Sequence, residues 1–390
     1  MAAAASSSFA VRAPAPGRVV ASPAPRRASR APPSVSRGAS KPRAARASAG
    51  ASSPGAPAPA GMGSTLTNWL LKEEQAGRMD GDMAILLSSI SVASKKIAAM
   101  VQREYYRPDA NLPAEANAIF RDVLGTCGRT GIIASGDASD ASPIAVEESF
   151  AGDYVVVFDP LDGVSNLDAA VTSGSIFGVF EAEESCVPDF DADDEGVVAD
   201  KCVASACRPG SNLKAAGYCM YSSSTILMLT LGDGVYGFTM DPSVGEFVMS
   251  HERVTVPERG RIYSFNEGNY EGWDEGVRRY VDALKKGGPD ENGKPYSARY
   301  IGSLVGDFHR TMLYGGICGQ PATTRHPDGR LRLLTECAPM AFIAEQCGGK
   351  ASTGRGRALD ETPEETHQRS PFYVGSAKEV EYLEAVLGAE

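Results

Sequence analysis

The sequence predicts an α/β protein, and three patterns predict it. Tyr154-Val155-Val156-Val157-Phe158 has the length and composition of a buried strand. From Asp80 to Tyr106, Met83, Leu86, Leu87, Ile90, Ile97, Met100 and Val101 recur at helical spacing. Beyond about residue 257, strand-like and helix-like segments alternate, the rhythm of an α/β layer. No internal repeat is visible.

The remaining elements follow in chain order. Ala114–Leu124 reads as a helix that Gly125 can end. Gly131–Ala134, Tyr154–Phe158 and Gly174–Phe180 read as strands. Leu227–Asp241 reads as further strand, with Gly232-Asp233-Gly234 as a hairpin turn. Past a domain boundary near Pro257 come a strand at Arg261–Phe265 and helices at Trp273–Lys286 and Ser303–Tyr314. A strand at Leu331–Leu334 then leads to a helix that opens on Pro339 and stops at Gly348-Gly349, placing Glu336 just ahead of that helix. The expected domains are 63–256 and 257–390.

The N-terminus has a different composition. Residues 1–71 hold no Asp or Glu and nine Lys or Arg, among many Ala, Ser and Pro. An acid-free, Arg- and Ser-rich leader describes an organelle transit peptide, here over about residues 1–60, cut between Ala45 and Met62. The alternative is a disordered basic arm that binds nucleic acid. Taking nine positive charges from a net charge of −11 leaves about −20 on the body, which argues against nucleic-acid and anionic-membrane partners. No apolar run approaches the roughly 18 residues of a membrane helix, so a soluble protein is expected.

Chemistry concentrates after the strand at 154–158, in Asp159-Pro160-Leu161-Asp162-Gly163-Val164-Ser165-Asn166-Leu167-Asp168. Three carboxylates within ten residues, on a turn that Pro160 and Gly163 shape, call for a cation. Hard divalent ions prefer oxygen, and Mg²⁺ is held by one or two carboxylates plus substrate phosphate. The alternative is an Asx-rich turn capping a helix. A second cluster is the acidic stretch 181–200, with nine acidic residues and no Lys or Arg. It reads as a surface loop, with Cys186 near its start and Cys202 and Cys207 after it. Thiols so placed in an intracellular protein suit a transient, redox-sensing disulfide; incidental cysteines are the alternative. Cys127, Cys219, Cys318, Cys337 and Cys347 are expected to be buried small hydrophobes.

The ten-residue segment resembles the metal-binding signature of the fructose-1,6-bisphosphatases, within the Mg²⁺-dependent, lithium-sensitive sugar and inositol phosphatases. Similarity extends from about Thr65 to the C-terminus, through Asn266-Glu267-Gly268, Ala298-Arg299-Tyr300-Ile301-Gly302-Ser303 and Leu331–Met340. The resemblance implies a layered αβαβα sugar-phosphatase fold and Mg²⁺-dependent hydrolysis of the 1-phosphate of fructose 1,6-bisphosphate. It implies Asp159, the Leu161 carbonyl, Asp162 and Glu336 as metal ligands, with Asp168 polarising from behind them. Asn266, Tyr300 and Arg330 would contact substrate, and Arg299 would reach a phosphate across a subunit interface of a homotetramer.

The acidic loop resembles the insertion of the light-regulated plastid members. That likeness implies a Cys186–Cys202 disulfide, with Cys207 as alternate partner, reduced by thioredoxin. It implies a stromal protein of carbon fixation and starch synthesis. A sedoheptulose-1,7-bisphosphatase and a non-catalytic, sugar-phosphate-binding paralogue are the competing functions.

Departures from the family pattern cluster near the metal signature. Val164 replaces Ser, Arg330 replaces Lys, and Gln320 replaces Tyr. Tyr105–Glu115 is about a dozen residues shorter than its counterpart and lacks that counterpart's Lys-Lys-Leu-Asp. After Ala134-Ser135 the family has a Glu-Glu pair whose first member binds metal; here it is Gly136-Asp137. Asp137, expected in a catalytic role, or Asp140 must substitute, or the site is incomplete and short of a general base.

Overall fold

The computed structural model describes residues 64–103, 110–137, 139–140, 142–147, 151–183, 194–289 and 293–388. The expected transit segment, Cys186 and much of the acidic stretch lie outside them. The described residues fall within one compact unit.

Three helices open the described chain: α1 (Leu66–Gln75), α2 (Gly81–Val101) and α3 (Leu112–Thr126). Each begins on a side-chain cap: Thr65 accepts from the Asn68 amide, Asp80 from Met83 and Asn111 from Ala114. Strands β1 (Thr130–Ser135), β2 (Ile144–Ala145), β3 (Tyr154–Asp162) and β4 (Ser173–Glu181) follow. After α4 (Glu195–Ala206) come β5 (Ala215–Tyr221), β6 (Thr225–Thr230), β7 (Val235–Asp241) and β8 (Glu246–His251). They form one sheet in the order β2-β1-β3-β4-β5-β6-β7-β8, antiparallel except for β1 with β3.

The second half begins with β9 (Ile262–Ser264), α5 (Glu275–Lys286), β10 (Ser297–Ala298), α6 (Leu304–Tyr314) and β11 (Ile317–Gln320). It continues through β12 (Leu331–Arg332), α7 (Ala338–Gln346), β13 (Gly349–Ser352), β14 (Arg369–Ser370), β15 (Phe372–Ser376) and α8 (Ala377–Leu387). A second sheet runs β10-β9-β11-β15-β13.

The period of two along a strand turns this list into layers. Val156 and Phe158 of β3 join the apolar core of α1, α2 and α3, whereas Val155 and Val157 face a core shared with α4, α6 and α7. Cys318, Phe372 and Val374 of the second sheet enter that same middle core. Tyr263, Phe265 and Tyr373 pack instead with α5 and α8. The result is helix, sheet, helix, sheet, helix, as the resemblance implied.

Four local expectations need correction. β3 does not stop at Phe158 but runs to Asp162, because β4 stays paired with it across a one-residue bulge. Leu331–Leu334 is strand only to Arg332; Leu333–Cys337 winds into a wide π-turn that continues as α7. The stretch after Glu181 is not all surface loop. Asp194 caps α4, and Val198, Cys202 and Ala206, spaced four apart, turn one stripe onto the core. Finally, α2 is long and apolar enough to cross a membrane by length and composition. Its apolar face is instead buried, with Leu86, Ile90 and Ile97 fully covered.

Candidate active site

The site lies where the two sheets meet around the end of β3. Pro160 has no N–H to give, so it fits at the bulge between Asp159 and Asp162. Its carbonyl accepts from Ser175 Oγ at 2.7 Å, and Ser175 Oγ stands 2.8 Å from Tyr221 Oη. Gly163 follows with φ of 75°, and a Cβ there would lie 2.9 Å from Ser303 Cβ. Only glycine satisfies both the left-handed turn and the close approach of α6. That approach is used at once: Ser303 Oγ donates to Asp162 Oδ2 at 2.5 Å and the Val305 amide donates to the same oxygen at 3.0 Å.

Glu336 arrives from the other half of the chain, on the π-turn. Its Oε2 accepts from the Arg332 amide at 2.7 Å, and the Arg332 guanidinium is 3.7 Å away. Such wide turns occur mostly as single turns inserted in α-helices, frequently at functional sites. Asp159 and Glu336 are only 7 % and 6 % exposed. Burial pushes the Asp159 carboxyl well above its ordinary range, and Glu336 and Asp162 push it further. Burial likewise raises Glu336 to about 7, against the pull of Arg332. Asp162 is raised by burial too, opposed by its bonds from Ser303 and Val305.

Against the three carboxylates stand Arg332, 3.7 Å from Glu336, and Arg369, which acts on Glu336 more weakly. Among the described residues no three acidic, His or Cys side chains make a ready-made metal cluster. The donors still suit a hard cation. Asp159, Asp162, Glu336 and the Leu161 carbonyl offer only oxygen, and burial makes the three carboxylates resist ionisation.

A pH dependence follows. A raised carboxyl pKa means that the folded state keeps protons which the unfolded chain has lost between about 4.5 and about 7. Stability from this source is full below 4.5 and lost as pH rises through 7. The cation-free melting temperature should therefore fall from pH 5 to pH 8, and Mg²⁺ should raise it more at pH 8. A Mg²⁺ effect equal at both values, measured by calorimetry, would contradict cation binding at these carboxylates.

Beside Asp162 and Glu336 opens a cavity of about 560 Å³, lined also by Asn266, Tyr300, Gln320, Arg330 and Arg332. Asn266 Oδ1 accepts from the Gly268 amide at 3.2 Å, which sets the turn on which it stands. The Arg330 carbonyl accepts from the Arg369 guanidinium, which ties its loop to β14.

Other expected residues are not brought here. Asp168 lines a separate cavity of about 480 Å³ with Gln102 and Tyr221. Asp137 closes a local turn, accepting from the Ser139 amide at 2.8 Å and Ser139 Oγ at 2.6 Å. Asp140 is held by Arg121 at 2.9 Å and Asn117 at 3.0 Å. Arg299 donates to the Ala298 carbonyl and does not line the cavity. Cys202, expected beside a flexible loop, is 1 % exposed on α4, and Cys207 is half-buried where α4 ends. Burial raises both thiols.

Two contributors were missed in the sequence. Arg332 stands four residues before Glu336, a spacing that suits pairing on one helical turn. Thr335 is buried with no hydrogen-bond partner for its Oγ1. A Cβ on Gly136 would sit 2.8 Å from that oxygen. No sequence pattern announces this contact, which joins β1 to a turn about 200 residues later.

Comparison with known proteins agrees with this geometry. The fructose-1-6-bisphosphatase N-terminal domain profile matches residues 110–252, and the C-terminal domain profile matches 256–388. The chain is 55% identical over 342 residues to the chloroplastic fructose-1,6-bisphosphatase of Oryza sativa subsp. japonica, covering 83% of this chain and 82% of that one. To the chloroplastic enzyme of Spinacia oleracea it is 54% identical over 340 residues, covering 83% and 81%. The crystal structure of Leishmania major fructose-1,6-bisphosphatase in T-state superposes with a TM-score of 0.75 at 38% identity, over 84% of this chain and 99% of that one.

Proposed function

The chain belongs to the fructose-1,6-bisphosphatase family, and on that premise we propose that it hydrolyses the 1-phosphate of fructose 1,6-bisphosphate with Mg²⁺. The observation that carries the reading is the meeting of Asp162 and Glu336, with buried Asp159 acting on both, beside a cavity walled by Asn266, Tyr300 and Arg330. Bound Mg²⁺ supplies an activated water and charge neutralisation at the phosphoryl group. Arg330 and Arg332 bring positive charge to the wall where a phosphate enters. Tyr300 and Asn266 present a ring and a carboxamide to the sugar phosphate. Asp162, fixed by Ser303 and Val305, keeps its carboxylate aimed from a rigid strand. Burial keeps bulk water from Asp159 and Glu336.

A weakened enzyme is the form of this reading that the geometry favours. Gly136 offers no ligand, and Asp137 and Asp140 are engaged elsewhere. The test is phosphate release by the chain from Met62 onward, with fructose 1,6-bisphosphate and sedoheptulose 1,7-bisphosphate in parallel across a Mg²⁺ titration. Slow release from the fructose ester, rising with Mg²⁺, supports the proposal. Preference for the sedoheptulose ester, or binding without release, selects one of the competing readings.

The chloroplastic relatives support a plastid location, and we place the protein in the stroma, where thioredoxin would reduce a bond from Cys186. Cys207, at the end of α4, is better exposed as its partner than Cys202, which must first leave the core. In reduced protein, an alkylating probe read by mass spectrometry should label Cys207 well before Cys202. Equal rates would show that α4 opens freely. Arg299 does not line the cavity of its own chain, which supports the proposal that it serves a neighbouring subunit of a homotetramer.

A further inference from the structure

We infer that Asp307 is a positioning residue for the sugar-phosphate end of this site, holding the backbone on both sides of Tyr300. The inference rests on the reading of Tyr300 and Asn266 as substrate contacts.

Asp307 lies in the first turn of α6 and is 4 % exposed. An acid in that place is ordinarily explained as a helix cap. Here the cap is already made by other groups: Val305 donates to Asp162 and Gly306 donates to Ser303 Oγ. Asp307 instead reaches out of the helix. The Ile301 amide donates to both its carboxylate oxygens at 3.1 Å, and the Gly302 amide donates to Oδ2 at 3.1 Å. Arg310 Nη2 donates to Asp307 Oδ1 at 2.7 Å and also to the Arg299 carbonyl at 2.5 Å.

The carbonyl before Tyr300 and the amide after it are thus fixed through one carboxylate–guanidinium pair. The Tyr300 ring, 42 % exposed at the cavity, takes its direction from that backbone. Ser264 Oγ donates to the same carboxylate at 2.6 Å, and Ser264 ends β9 two residues before Asn266. One buried group therefore sets the spacing between Tyr300 and Asn266. Misplacing such contacts by about 1 Å can cost up to about 10²-fold.

The test uses the full chain and four variants. Asp307→Asn keeps the shape but replaces two acceptors by one acceptor and one donor. It should raise KM for fructose 1,6-bisphosphate and Kd for fructose 6-phosphate about tenfold, with kcat and half-saturating Mg²⁺ within about twofold. Ser264→Ala should shift both in the same direction by less, and it serves alone if Asp307→Asn does not fold. In a Tyr300→Phe background, Asp307→Asn should add clearly less than in the parent. A loss of kcat at unchanged KM and Kd would overturn the inference, since that is what a purely structural role gives. So would full additivity with Tyr300→Phe. Unchanged KM and Kd in Tyr300→Phe itself would instead overturn the substrate-contact reading, and this inference with it.

Discussion

Asp159→Asn should lower phosphatase turnover by more than about 10²-fold while raising the melting temperature of the cation-free protein. The first effect follows from removing a charged oxygen donor, given that even outer partners of metal ligands are worth about 10–100-fold. The second has a different origin. Asp159 is buried beside Glu336 and Asp162, and each raises the cost of ionising it. Asparagine keeps the volume and removes one of three charges that repel each other. At pH 8 the gain should be about 2 °C or more, the shift that about 1 kcal/mol gives in a protein of this size. The Mg²⁺-dependent rise in melting temperature should shrink in parallel. Rate assays with differential scanning calorimetry check both halves. Normal turnover would remove Asp159 from the cation site, and a lowered melting temperature would mean that the substitution simply damages the fold.

The second large effect concerns Gly136. Restoring the acidic residue that the family carries there should raise activity, because a positioned base or ligand is worth about 10²–10⁴-fold. The sequence alone recommends Gly136→Glu. The structure shows why this change needs a companion. A Cβ at 136 meets Thr335 Oγ1 at 2.8 Å and the Phe158 carbonyl at 3.3 Å. Thr335 is fully buried and β-branched, so its hydroxyl has little room to swing aside. Gly136→Glu alone should therefore destabilise the fold and gain little. Gly136→Glu with Thr335→Ala should recover stability and raise kcat by at least about tenfold at ordinary Mg²⁺. Equal gains with and without the Thr335 change would refute the steric account.

The signals that the sequence carried well are those with local causes. Tyr154–Phe158 and the long stripe of α2 follow from periodicity and lie within β3 and α2, whereas Pro339 sits in the first turn of α7 without starting it, because the π-turn before it runs straight on. β5 was invisible because Ala215-Ala216-Gly217 lacks the branched residues that announce a strand. Its small residues answer a distant requirement: a Cβ on Gly217 would lie 2.3 Å from Phe177 Cζ. α4 was hidden by its acidic surroundings, which masked an apolar stripe of three residues. In the site, the carboxylates were legible because charge density in a motif is a local property. Arg332, Thr335 and Asp307 were not, because each acts through partners fixed only by packing. Asp168 shows the limit of local reading from the other side: near Asp162 in sequence, it lines a different cavity beyond the turn at Gly163.

The bond between Ser303 and Asp162 carries one more consequence, for the history of the chain. Profile boundaries and sheet composition both suggest two modules joined near Pro257. Yet the amino-terminal module supplies the oxygen that fastens the first turn of α6, and the carboxy-terminal module supplies the hydroxyl that aims Asp162. Each piece taken alone lacks half of that fastening. Recombination at the apparent seam with a divergent relative would inherit half of a reciprocal fastening, so exchange between lineages is confined to partners that preserve Gly163, Ser303 and the approach between them.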